Sequence, residues 1–502
     1  MSTVSPVEQP SDELIGPREA AGLDQRDLAA LPVLIAAVML VYWVVLAIPY
    51  AYLDDYFWLE VSVSHPTVVY DDQAVQGRPL NGYILPWVFR HAHGLSGLWR
   101  VRALTLAGIG GMGWMFYLAL RRAECDQRQA GLLALLACMV PAMQVYAAWA
   151  TSVANPLSGI LACAAALVCG WGLDDPRRRW PGFVAAVVMV LGSATIYQPT
   201  AMVFWPVAAV DLFRRHRGRN LLPRFAAYLI VGMIGLGLAF GVFKYGLSHH
   251  PERPSIERSG VTHDPMGKIS WFFQHPLVDS LNLFNMIRPV PIPAAIVGAF
   301  IVIGFWRGCL ETPGRKWIAL AVAALLFPLA YLPNLAAQES WSSYRSQIGM
   351  EWLALVLAWL ALRGLLGARA VHRILLIMAV IATALVSFQV GCLFAFPQAM
   401  EMRAFKAKFD RPDVAAAKQI ILLQPGGTSA FSPLNYSRYD EFNRTSLQRD
   451  WVPQSEVNLI RRQEDPKLPR IPVELRGNFI GPWTEPLPPG TVVVDMRFVA
   501  RP

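Results

Sequence analysis

Charged residues are scarce in this chain, and the usual signatures of a soluble enzyme are missing. Only 16% of its 502 residues are charged, whereas 55% are hydrophobic. None of the six cysteines forms a CxxC pair, so the sequence carries no zinc signature. All six fall in apolar segments or in short arginine-rich loops, which excludes the disulfide framework of a small secreted domain.

Nucleotide-binding motifs are also missing. The sequence has no Walker glycine loop and no GxGxxG motif between a strand and a helix. The glycine-rich stretch GIGGMG at 108–113 lies inside an apolar segment, where close helix packing is its expected role. The loops predicted on the inner side are too short to form a nucleotide-binding domain.

Long apolar segments dominate the chain instead. A helix needs roughly 20 apolar residues to cross a bilayer, and helices satisfy their backbone hydrogen bonds there. The sequence therefore predicts an all-α polytopic membrane protein with about 11 transmembrane helices. The predicted spans are residues 31–52, 101–120, 130–150, 157–173, 181–198, 200–213, 223–246, 291–306, 317–337, 347–363 and 371–396.

Basic residues indicate the orientation of these spans. The positive-inside rule places loops rich in Arg and Lys in the cytoplasm. Alternate loops carry them, namely Arg121, Arg122, Arg128, Arg177, Arg178, Arg179, Arg214, Arg215, Arg217, Arg219, Arg224, Arg307, Arg315, Lys316, Arg363, Arg369 and Arg373. We therefore predict a multi-pass protein of the bacterial inner (plasma) membrane with a cytoplasmic N-terminus. The net charge of +9 then reflects topology, and no nucleic-acid partner is indicated.

The chain divides into three regions. Residues 1–28 are polar and predict a flexible cytoplasmic tail. Residues 29–396 form the multi-pass domain, with large outer loops at 54–100 and 247–290. Residues 397–502 predict a small α/β periplasmic C-terminal domain.

The C-terminal region shows an alternation of helix and strand patterns. The stretch PDVAAAKQIILL (412–423) is predicted to be a helix that Pro412 and Asp413 open. PGG (425–427) is predicted to be a turn, and GTVVVDMRFV (490–499) a strand.

An acid pair, Asp54 and Asp55, directly follows the first span and lies among aromatic residues. Partial burial there would raise the pKa of a carboxyl group and favour its action as a base; the alternative is that the pair simply ends the span in water. The spans themselves are nearly free of charge, and polar residues gather at their outer ends. That distribution favours an enzyme that acts on a lipid-borne head group over a transporter.

Two arginines on the outer side suggest an anion site. In GRPLNGYILPWVFRH (77–91), Pro79 suits the first turn of a helix, which places Arg78 beside a positive helix N-terminus. The alternative is an ordinary interfacial arginine. Arg345 lies in a short outer loop, against the positive-inside bias, and a bound anion would explain it. Tyr197 and Gln198 end the fifth span before a proline, which helix packing alone could also explain.

In their order and sidedness, these motifs resemble the GtrII-type bacterial glucosyltransferases of the GT-C class. The likeness covers roughly residues 30–400 and rests on the acid pair, QGRPL in the first outer loop, YQ after a middle span and an arginine in a late outer loop. The resemblance implies a GT-C-like fold and a single inverting displacement. It also implies a set of site residues: Asp54 or Asp55 as catalytic base, Arg78 and Arg345 on the donor phosphate, and Gly77, Tyr197 and Gln198 in substrate binding.

The implied activity is transfer of a hexose, glucose by the resemblance, from a polyprenyl-phosphate sugar to a lipid-linked envelope glycan such as lipopolysaccharide O-antigen. Membrane lipids would be the remaining partners. No cofactor is required, although a divalent metal (Mg²⁺ or Mn²⁺) on the acid pair is compatible with the sequence. Two alternatives stay open: a GT-C enzyme with another acceptor (lipid A, a cell-wall polymer or a protein), and a non-enzymatic lipid-linked oligosaccharide flippase or polymerase component.

Overall fold

The computed structural model describes most of the chain, and every structural statement below refers to the residues it describes. These are residues 24–215, 220–250, 260–282, 291–308, 313–409, 411–424, 441–464, 468–477 and 483–497. Most of the tail predicted at 1–28, the PGG turn and Cys309 therefore lie outside the described residues.

Helices make up most of the described structure. The first eleven are α1 (Gln25–Val41), α2 (Trp43–Ala47), α3 (Asp54–Ser64), α4 (Pro66–Val75), α5 (Pro79–Arg90), α6 (Leu98–Arg122), α7 (Gln127–Ala137), α8 (Pro141–Ala148), α9 (Asn155–Asp174), α10 (Arg179–Ala201) and α11 (Phe204–Ala209). The others are α12 (Leu221–His249), α13 (Pro265–Gln274), α14 (Pro276–Ser280), α15 (Pro291–Gly308), α16 (Pro313–Leu329), α17 (Leu332–Ala336), α18 (Ile348–Leu365), α19 (Ala368–Val390), α20 (Phe396–Phe409), α21 (Pro412–Ala415) and α22 (Pro453–Glu464).

Six helical segments of the described chain are long and apolar enough to cross a membrane. Each contains most of one predicted span, so the prediction of an all-α membrane protein is confirmed at this level. The six are Leu95–Arg122, Ala150–Asp174, Arg179–Ala201, Leu221–His249, Ile348–Leu365 and Ala368–Phe409. The helices α7 and α8 would add a seventh span if this pair, bent by 62°, crosses as one unit.

The other predicted spans correspond to shorter or broken helices. Residues 31–52 contain the larger part of α1 and the five-residue α2, which are separated at Tyr42. Residues 200–213 contain the six-residue α11 and the start of a π-helical turn, Val210–Arg215. The helices α15 and α16 are apolar but fall short of the length of the six. A total of about 11 crossings therefore stays a prediction.

Close contacts between helices hold the core together. A Cβ atom on Gly110 of α6 would lie 2.8 Å from the Cα of Ile35 in α1, so only glycine permits this approach. The role predicted for the glycines of 108–113 is thus confirmed at this position. Between α9 and α10, the hydroxyls of Ser158 and Ser193 each donate to the other residue's carbonyl, at 2.9 and 2.7 Å.

The C-terminal region contains a three-stranded parallel sheet. Its strands β1 (Gln419–Leu423), β2 (Val473–Arg476) and β3 (Thr491–Asp495) lie in the order β2-β1-β3. The predicted α/β pattern and the strand near 491 are confirmed. The helix predicted over 412–423 was wrong beyond Ala415, because Ile420 to Leu423 form the buried central strand, and a continuous apolar run is typical of such a strand.

Candidate functional site

Asp55, one of the predicted site residues, is fully buried. Its Oδ1 accepts hydrogen bonds from the backbone N–H and the hydroxyl of Thr151, both at 2.8 Å. Its Oδ2 accepts from the N–H groups of Tyr52 at 3.1 Å and Ala150 at 3.4 Å. Burial raises the pKa of Asp55 to about 6, although Arg102 and the hydrogen bonds from Thr151 and Tyr52 oppose the shift. The carboxylate is enclosed by donors, so it anchors α3 and offers no access to a substrate.

Arg102 is a buried partner that the sequence analysis missed. Its Nη2 lies 3.4 Å from Oδ2 of Asp55 and donates to the carbonyl of Tyr50 at 2.8 Å, and its Nε donates to the carbonyl of Ala148 at 3.2 Å. The guanidinium also lies 3.7 Å from the centroid of the Tyr50 ring. A signal was present in the sequence, because Arg100 and Arg102 begin a span on the side where basic residues are disfavoured.

Asp54 differs from its neighbour in exposure and contacts. It is partly exposed at the first position of α3, and its Oδ1 accepts from the indole N–H of Trp451 at 2.8 Å. Side chains at adjacent helical positions point in different directions, so the two carboxylates contact different partners. The pair therefore does not fit a shared metal ion, and no group of three or more potential metal ligands occurs among the residues described here.

The motifs QGR and YQ meet in space. The Nε of Arg78 donates to Oε1 of Gln198 at 2.9 Å, and its guanidinium lies 4.6 Å from the centroid of the Tyr197 ring. The amide of Gln198 donates in turn to the carbonyls of Gln76 at 3.1 Å and Gly77 at 3.0 Å. The side chain of Gln198 thus holds the loop before α5 in place.

Local backbone geometry explains these positions. Gly77 has φ +74°, and a Cβ atom there would lie 2.9 Å from Nε2 of Gln198 and 3.0 Å from Cβ of Phe243. Pro79 begins α5, as predicted, with Arg78 as the residue before its first turn. Tyr197 leaves the helical conformation, with φ −157° and ψ 107°, so the break in α10 presents its ring and the next side chain toward the loop.

One cavity of about 470 Å³ joins four of the predicted site residues. Its polar lining includes Arg78, Tyr197, Gln198 and Arg345, together with the carboxylate residue Glu339. Its apolar lining includes Met233, Leu236, Phe240 and Phe243 of α12, together with Val261. The cavity is therefore amphipathic, with two cationic residues set against a hydrocarbon surface.

Arg345 is held on two sides. Its guanidinium lies 4.6 Å from the centroid of the Trp149 ring, and its Nε lies 3.3 Å from Oε1 of Glu441. Its backbone carbonyl accepts from the hydroxyl of Tyr146 at 2.7 Å. Glu441 is fully buried and comes from the C-terminal region, where no sequence motif pointed to it.

The acid pair is not among the described residues that line the cavity, but a neighbouring residue connects it to the groups that hold Arg345. Tyr52, two residues before Asp54, packs edge-on against Trp149 with ring centroids 5.4 Å apart. Its hydroxyl donates to the carbonyl of Glu441 at 2.6 Å. The structure thus brings Arg78, Tyr197, Gln198 and Arg345 to one cavity, with Gly77 hydrogen-bonded to Gln198, and leaves Asp54 and Asp55 outside the described lining.

Comparison with known proteins identifies no family model that matches the chain and no curated protein that matches it. Any functional assignment therefore rests on the chemistry of the cavity and on the motifs that line it.

Proposed function

We propose that this chain is an integral membrane glycosyltransferase that transfers a hexose from a polyprenyl-phosphate donor to an envelope glycan on the periplasmic face. The amphipathic cavity is the observation that supports the proposal most strongly, because Arg78 and Arg345 line it together with apolar side chains, several of them from α12. A polyprenyl-phosphate sugar has the matching chemistry, an anionic phosphate joined to a long hydrocarbon chain. Glucose as the sugar and O-antigen as the acceptor follow the family resemblance.

The two arginines would bind the donor phosphate and stabilise the leaving group. As the bond between C1 of the sugar and the phosphate oxygen breaks, negative charge grows on the phosphate. Guanidinium groups held in place before the reaction stabilise that charge most effectively. Gln198 and Tyr197 hold Arg78, while Trp149 and Glu441 hold Arg345.

Asp54 would accept the proton of the attacking hydroxyl. The acceptor oxygen forms a bond to C1, the C1–phosphate oxygen bond breaks, and polyprenyl phosphate leaves with inversion at C1. The partial exposure of Asp54 supports this role, whereas the enclosed Asp55 would position α3. Glu339 is a second candidate for the base, because Glu339 itself lines the cavity.

The positions of these side chains favour an enzyme over a flippase. A pathway through the membrane would need polar residues at mid-depth. Arg78 precedes the first turn of α5, Gln198 lies near the end of α10, and Arg345 lies in a loop before α18. All three belong to helix ends or loops rather than to the middle of a candidate span.

The envelope glycans of a deletion strain test the proposal. We expect loss of a hexose side branch, restored by the wild-type gene but not by Arg78→Ala. Arg90→Ala is the matched control, because Arg90 ends the same helix and contacts the carbonyl of Ser62 instead of the cavity. Unchanged envelope glycans in the deletion strain would contradict the proposal.

A further inference from the structure

The C-terminal region reaches the cavity through one side chain, Glu441. Its Oε1 lies 3.3 Å from Nε of Arg345, and its Oε2 accepts from the backbone N–H of Tyr344 at 2.9 Å. Its own carbonyl accepts from the hydroxyl of Tyr52 at 2.6 Å. Both the backbone and the side chain of Glu441 are therefore anchored to the membrane domain.

Neighbouring contacts fix the segment that carries Glu441. The ring of Phe442, the next residue, packs edge-on against Tyr344 at 5.2 Å and Phe394 at 4.8 Å between centroids. The backbone N–H of Asn443 donates to the carbonyl of Leu393 at 3.0 Å. Glu441 is thus a counter-ion of Arg345 that Tyr52 and Tyr344 hold by its backbone and its side chain.

An unconstrained arginine in an open cavity would sample many rotamers, and its guanidinium would not keep one orientation toward a bound phosphate. Arg345 is confined between the face of Trp149 and the carboxylate of Glu441. Such confinement is what preorganised binding of a phosphate requires. The negative charge of Glu441 also offsets part of the repulsion between the two cations that line the cavity, Arg78 and Arg345.

We propose that Glu441 is a positioning residue that aims Arg345 at the phosphate of an anionic amphiphile bound in the cavity. The C-terminal region would then be part of the binding site, although none of its described residues lines the cavity. The positioning role rests on the proposed function for the identity of the natural ligand. Binding of a phosphate amphiphile can nevertheless be measured without any sugar transfer.

The test is the affinity of the purified full-length chain for dodecyl phosphate, measured by calorimetry in a neutral detergent. We expect Glu441→Ala to weaken binding about tenfold, as does Arg345→Ala, with no further loss in the double variant. Glu441→Gln removes the charge but keeps an oxygen close to Nε of Arg345, so it should lose only a few-fold. Glu441→Asp keeps the charge but shortens the side chain by one methylene, which moves the carboxylate away from Arg345. This variant should also weaken binding.

Glu60→Gln is the matched control. Glu60 is another buried acid that pairs with the C-terminal region, with its Oε1 2.8 Å from Nε of Arg470, but it does not contact Arg345. This variant should bind dodecyl phosphate as the wild type does. If Glu441→Ala fails to fold by size-exclusion chromatography, the Gln and Asp variants decide the question.

The outcomes separate this inference from the proposed function. Wild-type or tighter affinity in folded Glu441 variants would overturn the positioning role, since a competing rather than orienting Glu441 predicts tighter binding. A wild type that binds dodecyl phosphate but transfers no hexose would refute the proposed function and leave the role of Glu441 intact. A wild type without affinity for dodecyl phosphate would overturn both.

Discussion

The Nε of Arg78 donates to the side-chain carbonyl of Gln198 at 2.9 Å, although 120 positions separate the two residues in the chain. The bond joins the loop before α5 to the point where α10 loses its helical geometry. It places a cationic side chain in a cavity that also has an apolar lining. The predictions below test whether this arrangement binds and processes a lipid-linked sugar phosphate.

Gly77→Ala should damage the cavity more than a substitution at another glycine with positive φ. Gly77 and Gly94 both have positive φ, +74° and +95°, so alanine adds backbone strain of roughly 1–3 kcal/mol at either position. Only at Gly77 would the added Cβ meet Nε2 of Gln198, at 2.9 Å, whereas nothing lies within 4 Å at Gly94. We expect Gly77→Ala to lower the affinity for dodecyl phosphate at least fivefold and Gly94→Ala to leave it unchanged. Equal affinities would contradict the role of the loop.

Asp54→Asn and Glu339→Gln separate the two candidate bases. The variant that lacks the true base should lose about 100-fold or more in the rate of transfer while keeping its folded yield, since both residues are only partly buried. The other variant should stay near the wild-type rate. The measurement is single-turnover transfer from a polyprenyl-phosphate sugar in proteoliposomes. Full activity in both variants and in the double variant would remove a carboxylate base from the mechanism.

Asp55 should contribute a pH dependence to stability. Burial raises the pKa of Asp55 to about 6, above its ordinary value of 3.8, so the folded chain takes up this proton at a higher pH than the unfolded chain. The associated stabilisation is complete below about pH 4 and is lost as the pH rises through about 6. We expect the melting temperature of the wild type to fall more between pH 4 and pH 6.5 than that of Asp55→Asn. Asp54→Asn retains Asp55 and should keep the wild-type slope; identical slopes in all three would contradict the assignment.

The orientation of the chain can be mapped with single cysteines. The native cysteines Cys125, Cys138, Cys163, Cys169 and Cys392 are buried, which leaves a low labelling background from the described residues. A membrane-impermeant maleimide should label His65→Cys in intact spheroplasts, because this exposed residue directly follows α3 in the loop that is predicted to face outward. Gln127→Cys, exposed at the start of α7, should react only after permeabilisation. The reverse pattern would place the cavity on the cytoplasmic side.

The sequence predicted the motifs of the site better than it predicted how they act together. Pro79 was expected to begin a helix with the cationic side chain of Arg78 beside it, because proline is favoured in the first helical turn. That part is confirmed by the start of α5 at Pro79. The bond from Arg78 to Gln198 could not be derived from spacing, since it depends on how two distant helices pack.

The different environments of Asp54 and Asp55 could not be predicted from the local sequence pattern. Adjacent carboxylates look equivalent in a sequence, yet Asp55 is enclosed by Thr151 and Arg102 while Asp54 remains partly exposed. Burial is a property of the whole fold, so no local signal distinguished them. The same reason explains why Glu441, in a region without motifs, escaped notice. The strand β1 was mistaken for a helix because alanine-rich and apolar residues satisfy both patterns.

Release of polyprenyl phosphate by the purified chain tests the central claim most directly. The measurement follows polyprenyl phosphate and glycosylated acceptor by mass spectrometry, with wild type, the double variant Arg78→Ala/Arg345→Ala and the control Arg90→Ala supplied with polyprenyl-phosphate glucose. We predict equal amounts of both products from the wild type and from Arg90→Ala, and a loss of at least 100-fold in the double variant. Undiminished transfer by the double variant, or no transfer by the wild type with any envelope glycan acceptor, would contradict a phosphate-binding cavity as the site of the reaction.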